Sequence, residues 1–166
     1  MSFGQSFQIT PMQMLRAAAA IVNGGNLVTP HFAIRTCAAD KTTYSEFSYS
    51  TTQEAVSKET SDTMKDILRQ VVEEGGGKNA YIEGFSIGGK TATSQKLPRG
   101  SGKYISSFIG FAPADNPQVI AMCLIDEPTG VYYGGTIAAP VVKTLYENIL
   151  PYIGIERSVQ LEKNDD

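Results

Sequence analysis

Eight consecutive residues, Gly88-Gly89-Lys90-Thr91-Ala92-Thr93-Ser94-Gln95, constrain the fold more than any other part of this 166-residue chain. They follow a short strand-forming run, Phe85-Ser86-Ile87, and precede a basic, glycine-containing loop and two apolar runs. Side chains of an extended segment alternate between faces. Lys90 therefore shares one face with Ala92 and Ser94, while Thr91, Thr93 and Gln95 share the other. Such a strand brings almost no bulk to a core. It offers one cation, several hydroxyls and an approachable backbone, which suits a strand lining a binding cleft. An edge strand with a solvated lysine satisfies the same composition.

The two following runs supply the bulk that this strand lacks. Residues 104–112 form a strand candidate with Ile105, Ser107, Ile109 and Phe111 on one face. Pro113 and Asp115-Asn116-Pro117 make a turn, and residues 119–125 are a nearly continuous apolar strand, so the pair reads as a hairpin. Together with residues 85–95 they predict three neighbouring antiparallel strands. Between them, residues 96–103 have the turn and breaker composition of a mobile loop. Its cations Lys96, Arg99 and Lys103 either help to hold an anionic ligand or are simply solvated.

Helices flank this sheet in the sequence. Thr10-Pro11-Met12-Gln13 combines an N-cap hydroxyl, a proline at the first helical position and a glutamine three residues after the cap. The alanine-rich run that follows suits a closely packed helix, ended by Asn23-Gly24-Gly25. Leu27-Val28 and Phe32-Ala33-Ile34 read as short extended pieces, and the polar segment 38–53 as a surface hairpin or loop. Ser57 caps a second helix over about residues 58–74, where Met64, Ile67, Leu68, Val71 and Val72 recur at helical spacing. Gly75-Gly76-Gly77 stops it and opens a flexible connector. Tyr132-Tyr133-Gly134-Gly135 continues an exposed loop. A last helix begins at Thr136 or Ala138, with Pro140 in its first turn and Val141, Val142, Leu145, Ile149 and Leu150 on its apolar side. Residues 156–166 form a polar, frayed tail.

Composition narrows the function classes. The length fits one domain, and 42% hydrophobic with 19% charged residues describes a globular chain. A net charge of -3 with scattered basic residues gives no support for nucleic acid as a partner. No apolar run is long enough to span a bilayer, and no leader-type segment is present. Cys37 and Cys123 show no local pairing signature. His31, the only histidine, stands beside Pro30 and suits a turn better than a catalytic base. No cluster of zinc-type ligands is evident, and no cofactor is expected.

Read together, the segments resemble the C-terminal half of the transpeptidase domain of class B penicillin-binding proteins, of the sporulation and division types. The resemblance covers nearly all of residues 1–155 and leaves 156–166 as the tail. It is carried by Ser2-Phe3-Gly4-Gln5, Ile9-Thr10-Pro11-Met12-Gln13-Met14, Ala19-Ala20-Ile21-Val22-Asn23-Gly24-Gly25 and Val28-Thr29-Pro30-His31. Further matches are Gly89-Lys90-Thr91-Ala92-Thr93-Ser94-Gln95, in the place of the family's Lys-Thr-Gly strand, then Phe108-Ile109-Gly110-Phe111-Ala112-Pro113 and Tyr133-Gly134-Gly135-Thr136-Ile137-Ala138-Ala139-Pro140.

The resemblance implies an α+β fold: an antiparallel sheet of three to five strands packed with helices, part of the penicillin-binding-protein and serine β-lactamase type. The C-terminal helix is expected on one side of the sheet, and the alanine-rich and 58–74 helices on the other. The implied chemistry is peptidoglycan cross-linking, with stem peptides ending in D-Ala-D-Ala as substrates and β-lactams as their mimics. Lys90 is then expected close to the nucleophile, setting the electrostatics of the cleft. Thr91 and Thr93 would hydrogen-bond the substrate carboxylate, and the Thr93 backbone N–H would form half of the oxyanion hole. Ala92 stands where the family usually has glycine.

Two family signatures are absent: no serine here has lysine three positions later or asparagine two positions later. Ser61-Asp62-Thr63, the nearest imitation of the second, reads as helix capping. The resemblance therefore implies that the nucleophile, the rest of the domain and a membrane anchor precede Met1 in the parent protein. On that reading the parent domain lies on the outer face of the cytoplasmic membrane. This chain would be a truncated piece or the product of a split reading frame, inactive alone. Two other readings compete: a non-catalytic binding or scaffold module, and an unrelated enzyme with a desolvated Lys90 as nucleophile. An incomplete sheet leaves an edge or face open, which predicts homodimerisation or poor solubility.

Overall fold

The structure, a computed structural model, describes residues 8–158; the Ser2-Phe3-Gly4-Gln5 segment and tail residues 159–166 lie outside the described residues. Helix α1, Pro11–Val22, begins as its sequence dictates. The Gln13 N–H donates to Thr10 Oγ1 at 3.2 Å, and the Thr10 N–H donates to Gln13 Oε1 at 2.9 Å. Helix α2, Lys58–Glu73, starts with the Thr60 N–H donating to Ser57 Oγ at 3.1 Å. Each cap satisfies a donor that the first helical turn leaves without an intrahelical partner. Between the helices, strands β1, Arg35–Cys37, and β2, Tyr44–Glu46, pair antiparallel as an exposed surface hairpin.

The Ser61-Asp62-Thr63 expectation is corrected here. Ser57 does the capping, and Ser61 is fully buried with its Oγ accepting the Gly24 N–H at 3.0 Å. It ties α2 to the end of α1, where Gly25 takes a φ of +92° and a Cβ would stand 1.9 Å from the Val56 carbonyl oxygen. Ser61→Ala would leave the Gly24 donor without its partner in a buried site and should cost about 1–3 kcal/mol. An unchanged urea midpoint would contradict that.

The central sheet consists of β3, Gly88–Gln95, β4, Tyr104–Ala112, and β5, Val119–Asp126, antiparallel in that order. Pairing runs from Gly88 with Phe111 to Gln95 with Tyr104, and from Ile105 with Asp126 to Ala112 with Val119. The expected three neighbours are there, but Phe85-Ser86-Ile87 precedes the ladder rather than opening it. Phe85 and Ile87 are buried in the main core, and Phe85 makes only an isolated bridge to Ile82.

Helices cover the sheet on both faces. One face carries Phe108 and, behind it, Ala121, Cys123 and Ile125, packed against Val142, Tyr146 and Leu150 of α4, Ala139–Tyr152. The Tyr146 hydroxyl donates to the Gly110 carbonyl at 2.5 Å inside this core. The other face carries Phe111 and Ile120 against Ile21 and Val22 of α1. Helix α2 was expected to lie wholly on this second side. It supplies Leu68 to this cluster and Val72 to the first, so it straddles the sheet beside β3.

The absence of bulk in β3 has a packing cause. A Cβ at Gly88 would stand 2.2 Å from the Phe111 ring, and one at Gly89 would stand 2.4 Å from the Phe108 ring. Two phenylalanine rings thus lie across the strand, one per face, in the space that side chains would need. The connector after α2 is packed, not flexible. A Cβ at Gly77 would stand 3.0 Å from the Val71 carbonyl oxygen, and Ala80 and Ile82 are buried. At the other end, the tail expected to fray stays docked as far as the described residues go. Arg157 lies 5.3 Å from the Phe85 ring centroid, and the Ser158 N–H donates to the Gly84 carbonyl at 2.8 Å.

Candidate functional site

Beyond the two glycines, β3 exposes Lys90 and Ala92 on one face and carries the half-buried Thr91 and Thr93 on the other. Among the described residues it pairs with β4 alone, so its outer edge carries backbone groups without a neighbouring strand. Lys90 is exposed, and its Nζ donates to the Thr91 carbonyl at 2.9 Å. Ala92 is also exposed. It does not take a positive φ, so its methyl group points into open space without backbone strain. Leu124, on the same face of the sheet, is 42% exposed, so this part of the face is bare among the described residues.

Thr91 and Thr93 are half-buried on the opposite face, backed by α3, the short turn Gly134–Ile137. The Gly134 N–H donates to Thr93 Oγ1 at 3.1 Å. A threonine hydroxyl has one proton and two acceptor sites, so this contact uses an acceptor and leaves the O–H available to a ligand. A Cβ at Gly134 would stand 2.3 Å from both the Ala92 and the Ser107 carbonyl oxygens. One at Gly135 would stand 2.6 Å from the Gly76 carbonyl oxygen and 3.2 Å from Thr91 Cγ2. Two further contacts hold the segment: Ser106 Oγ, fully buried, donates to the Tyr132 carbonyl, and Asn79 Nδ2 donates to the Gly135 carbonyl at 2.8 Å.

Residues 132–135 do not form the exposed loop that their sequence predicts. Gly134 is buried, Tyr132 stacks on Tyr104 with centroids 4.1 Å apart, and the helical turn begins at Gly134. The signal that could have revealed this is the glycine doublet. Neither glycine takes a positive φ, so close approach of backbone, not turn geometry, explains both. Asn79 and Ser106 carried no comparable signal.

Two cations of the 96–103 loop, which the sequence leaves either solvated or open to an anionic ligand, are paired within the protein. Lys96 Nζ lies 3.0 Å from Asp126 Oδ1 and 2.7 Å from Glu127 Oε1, and Lys103 Nζ lies 2.9 Å from Glu127 Oε2. Hydrogen bonds from Lys96 and then Lys103 hold the Glu127 carboxyl at about 2, below its ordinary 4.5. A depressed carboxylate contributes above its unfolded value and stops contributing as the pH falls through its folded one. The tether between the loop and the end of β5 should therefore be intact at neutral pH and release between about pH 4.5 and 2. Protection of the Lys96 and Lys103 amides, taken relative to their intrinsic exchange rates at each pH, should fall over that window; constant protection would contradict the linkage.

Comparison with known proteins gives a consistent result. The family described as the penicillin binding protein transpeptidase domain matches residues 1–147. Stage V sporulation protein D of Bacillus subtilis is 41% identical over 98% of this chain, and the chain spans 26% of that relative. The probable peptidoglycan D,D-transpeptidase PenA of Neisseria flavescens is 34% identical over 93% of the chain, which spans 37% of it. Among solved structures, penicillin binding protein 3 from Mycobacterium tuberculosis, complexed with ampicillin, superposes with a TM-score of 0.81 at 28% identity. That match covers 96% of this chain and 38% of the solved one. The D,D-transpeptidase domain of a peptidoglycan glycosyltransferase from Eggerthella lenta gives 0.75 at 27% identity, covering 87% and 33%. The chain thus spans between about a quarter and two fifths of the length of these proteins.

Proposed function

Because the chain belongs to the transpeptidase domain family of penicillin-binding proteins, we propose that it is the C-terminal portion of a peptidoglycan D,D-transpeptidase. In this reading it forms one wall of the cleft that takes D-Ala-D-Ala stem peptides and β-lactams. A serine supplied by the upstream part of the domain attacks the penultimate D-Ala carbonyl, releases the terminal D-Ala, and passes the acyl group to an amine of a neighbouring strand. The observation that carries the reading is the half-open strand Lys90-Thr91-Ala92-Thr93, with a cation on one face and two hydroxyls on the other.

Each residue then has a role. Lys90 supplies positive potential beside the nucleophile. Thr91 and Thr93 donate to the terminal carboxylate, each a charge-assisted contact of about 1.5–3 kcal/mol. The Thr93 N–H takes the developing oxyanion, where loss of one donor typically costs about 2.7–4 kcal/mol. Ala92 adds the least bulk of any side chain to the face shared with Lys90, and its geometry supports tolerance of that substitution.

The same reading places the parent domain at the outer face of the cytoplasmic membrane behind an upstream anchor. No helix among the described residues is long and apolar enough to cross a membrane itself. The open sheet edge and bare face suit the missing upstream part, or a second copy of the chain in its absence. Sedimentation at rising concentration should then show self-association of the isolated chain, and a clean monomer would count against it. The lack of a Ser-x-x-Lys sequence keeps a scaffold role as the second reading.

Intact mass after incubation with benzylpenicillin tests the main proposal. The chain alone should gain no adduct, and the polypeptide with its upstream half should gain one equivalent. An adduct on the chain alone would assign the nucleophile to one of its own residues and overturn the division of roles. No adduct on the longer polypeptide would favour the scaffold reading.

A further inference from the structure

We infer that Asn79 is a positioning residue for carboxylate recognition, acting through the Gly134 amide on the Thr93 hydroxyl. The inference rests on the proposed role of Thr93 as a carboxylate donor. Asn79 lies in the short 3-10 turn Lys78–Ala80, 56 positions before Gly135, and its Nδ2 donates to the Gly135 carbonyl at 2.8 Å. The preceding residue's N–H is the one that meets Thr93 Oγ1 at 3.1 Å. The Gly134 N–H shares a peptide plane with the Tyr133 carbonyl, which accepts from the Thr136 and Ile137 N–H groups at 2.8 and 3.0 Å. The amide is therefore fixed within the turn, and its aim at Thr93 depends on how the turn as a whole is docked. Ser106 holds the Tyr132 carbonyl before the amide, and Asn79 holds the Gly135 carbonyl after it.

The consequence lies in the hydroxyl rotor of Thr93. With the Gly134 N–H in place, one acceptor site is filled and the proton is free to point at an anion. With the amide turned away, the hydroxyl can rotate and donate to nearby main-chain carbonyls instead, as threonine readily does. Gly135 also stands beside Thr91 Cγ2, so the same clamp backs both hydroxyl-bearing residues. Ser106 is fully buried, and its loss would disturb the core as well as the clamp. Asn79 is exposed, so its amide can be removed with little effect on packing.

The test uses the complete transpeptidase polypeptide that includes this chain, acylated by benzylpenicillin, which has a free carboxylate, and by benzylpenicillin methyl ester, which has none. Asn79→Ala and Asn79→Asp both remove the donor, and the second keeps the side chain's shape. In each variant the second-order acylation rate with benzylpenicillin should fall about tenfold relative to wild type, with the ester rate unchanged. The Gly134 amide proton resonance should move upfield as its hydrogen bond weakens. An equal fall with both probes would overturn the positioning role in favour of a general structural one, and an unchanged penicillin rate would overturn it outright. A wild-type polypeptide that neither probe acylates would overturn the transpeptidase reading itself, and this inference with it.

Discussion

Gly134→Ala should destabilise the chain by about 3 kcal/mol, at the upper end of what overpacking costs. The added methyl group would stand 2.3 Å from two carbonyl oxygens, those of Ala92 and Ser107. These residues pair directly across β3 and β4, so neither oxygen can yield without opening the ladder at the site. A side chain can rotate away from an intruding methyl group; two paired backbones cannot. The turn Gly134–Ile137 must lift instead, and the Gly134 N–H then leaves Thr93. Gly76→Ala is the matched comparison. Its Cβ would meet only Thr91 Oγ1, at an ordinary 3.8 Å, and Gly76 has no positive φ. That variant should stay within about 1 kcal/mol of wild type, since the alanine also restricts the unfolded chain. Chemical denaturation of the two variants side by side checks the contrast, and similar midpoints would refute it.

Tyr146→Ala should cost about 3–5 kcal/mol, the range for removing a buried aromatic side chain. Tyr146 is the largest fully buried side chain among the described residues, and it joins α4 to the middle of the sheet. Tyr146→Phe separates the two contributions. It keeps the ring and removes the hydroxyl that donates to the Gly110 carbonyl, for an expected loss of about 1–2 kcal/mol. Burial also raises the phenol well above its ordinary 10.0. A raised group contributes stability that is complete below its unfolded value, so the core should weaken as the pH rises past about 10. Tyr146→Phe should remove that part of the alkaline dependence. If its alkaline transition matched wild type, the assignment to Tyr146 would be wrong.

Much of the fold was legible because it rests on local chemistry. The Thr10 and Ser57 caps, the end of α1 at Asn23 and the three-strand order follow from residues that neighbour one another in the chain. The alternation along Lys90-Thr91-Ala92-Thr93 likewise set out which side chains share a face, and the ladder agrees. The errors fell where a residue answers to something distant. Ser61 resembled a cap and is an inter-helix tie to Gly24, 37 positions away. Lys96 and Lys103, read from the sequence as solvated or open to an anion, are paired with Asp126 and Glu127.

By itself, then, the sequence determined the helix ends, the strand candidates, the family and the chemical content of β3, because capping, periodicity and motif order are short-range properties. Only the tertiary structure decided which glycines are indispensable and which donor fills an acceptor site on Thr93. Gly88, Gly89 and Gly134 are required by aromatic rings and carbonyls from other strands. Thr93 Oγ1 accepts from an amide 41 residues away, in a turn whose Gly135 carbonyl accepts from Asn79 of a third segment. Steric exclusion and hydrogen-bond direction depend on what arrives from elsewhere in the chain, and no local pattern encodes that arrival.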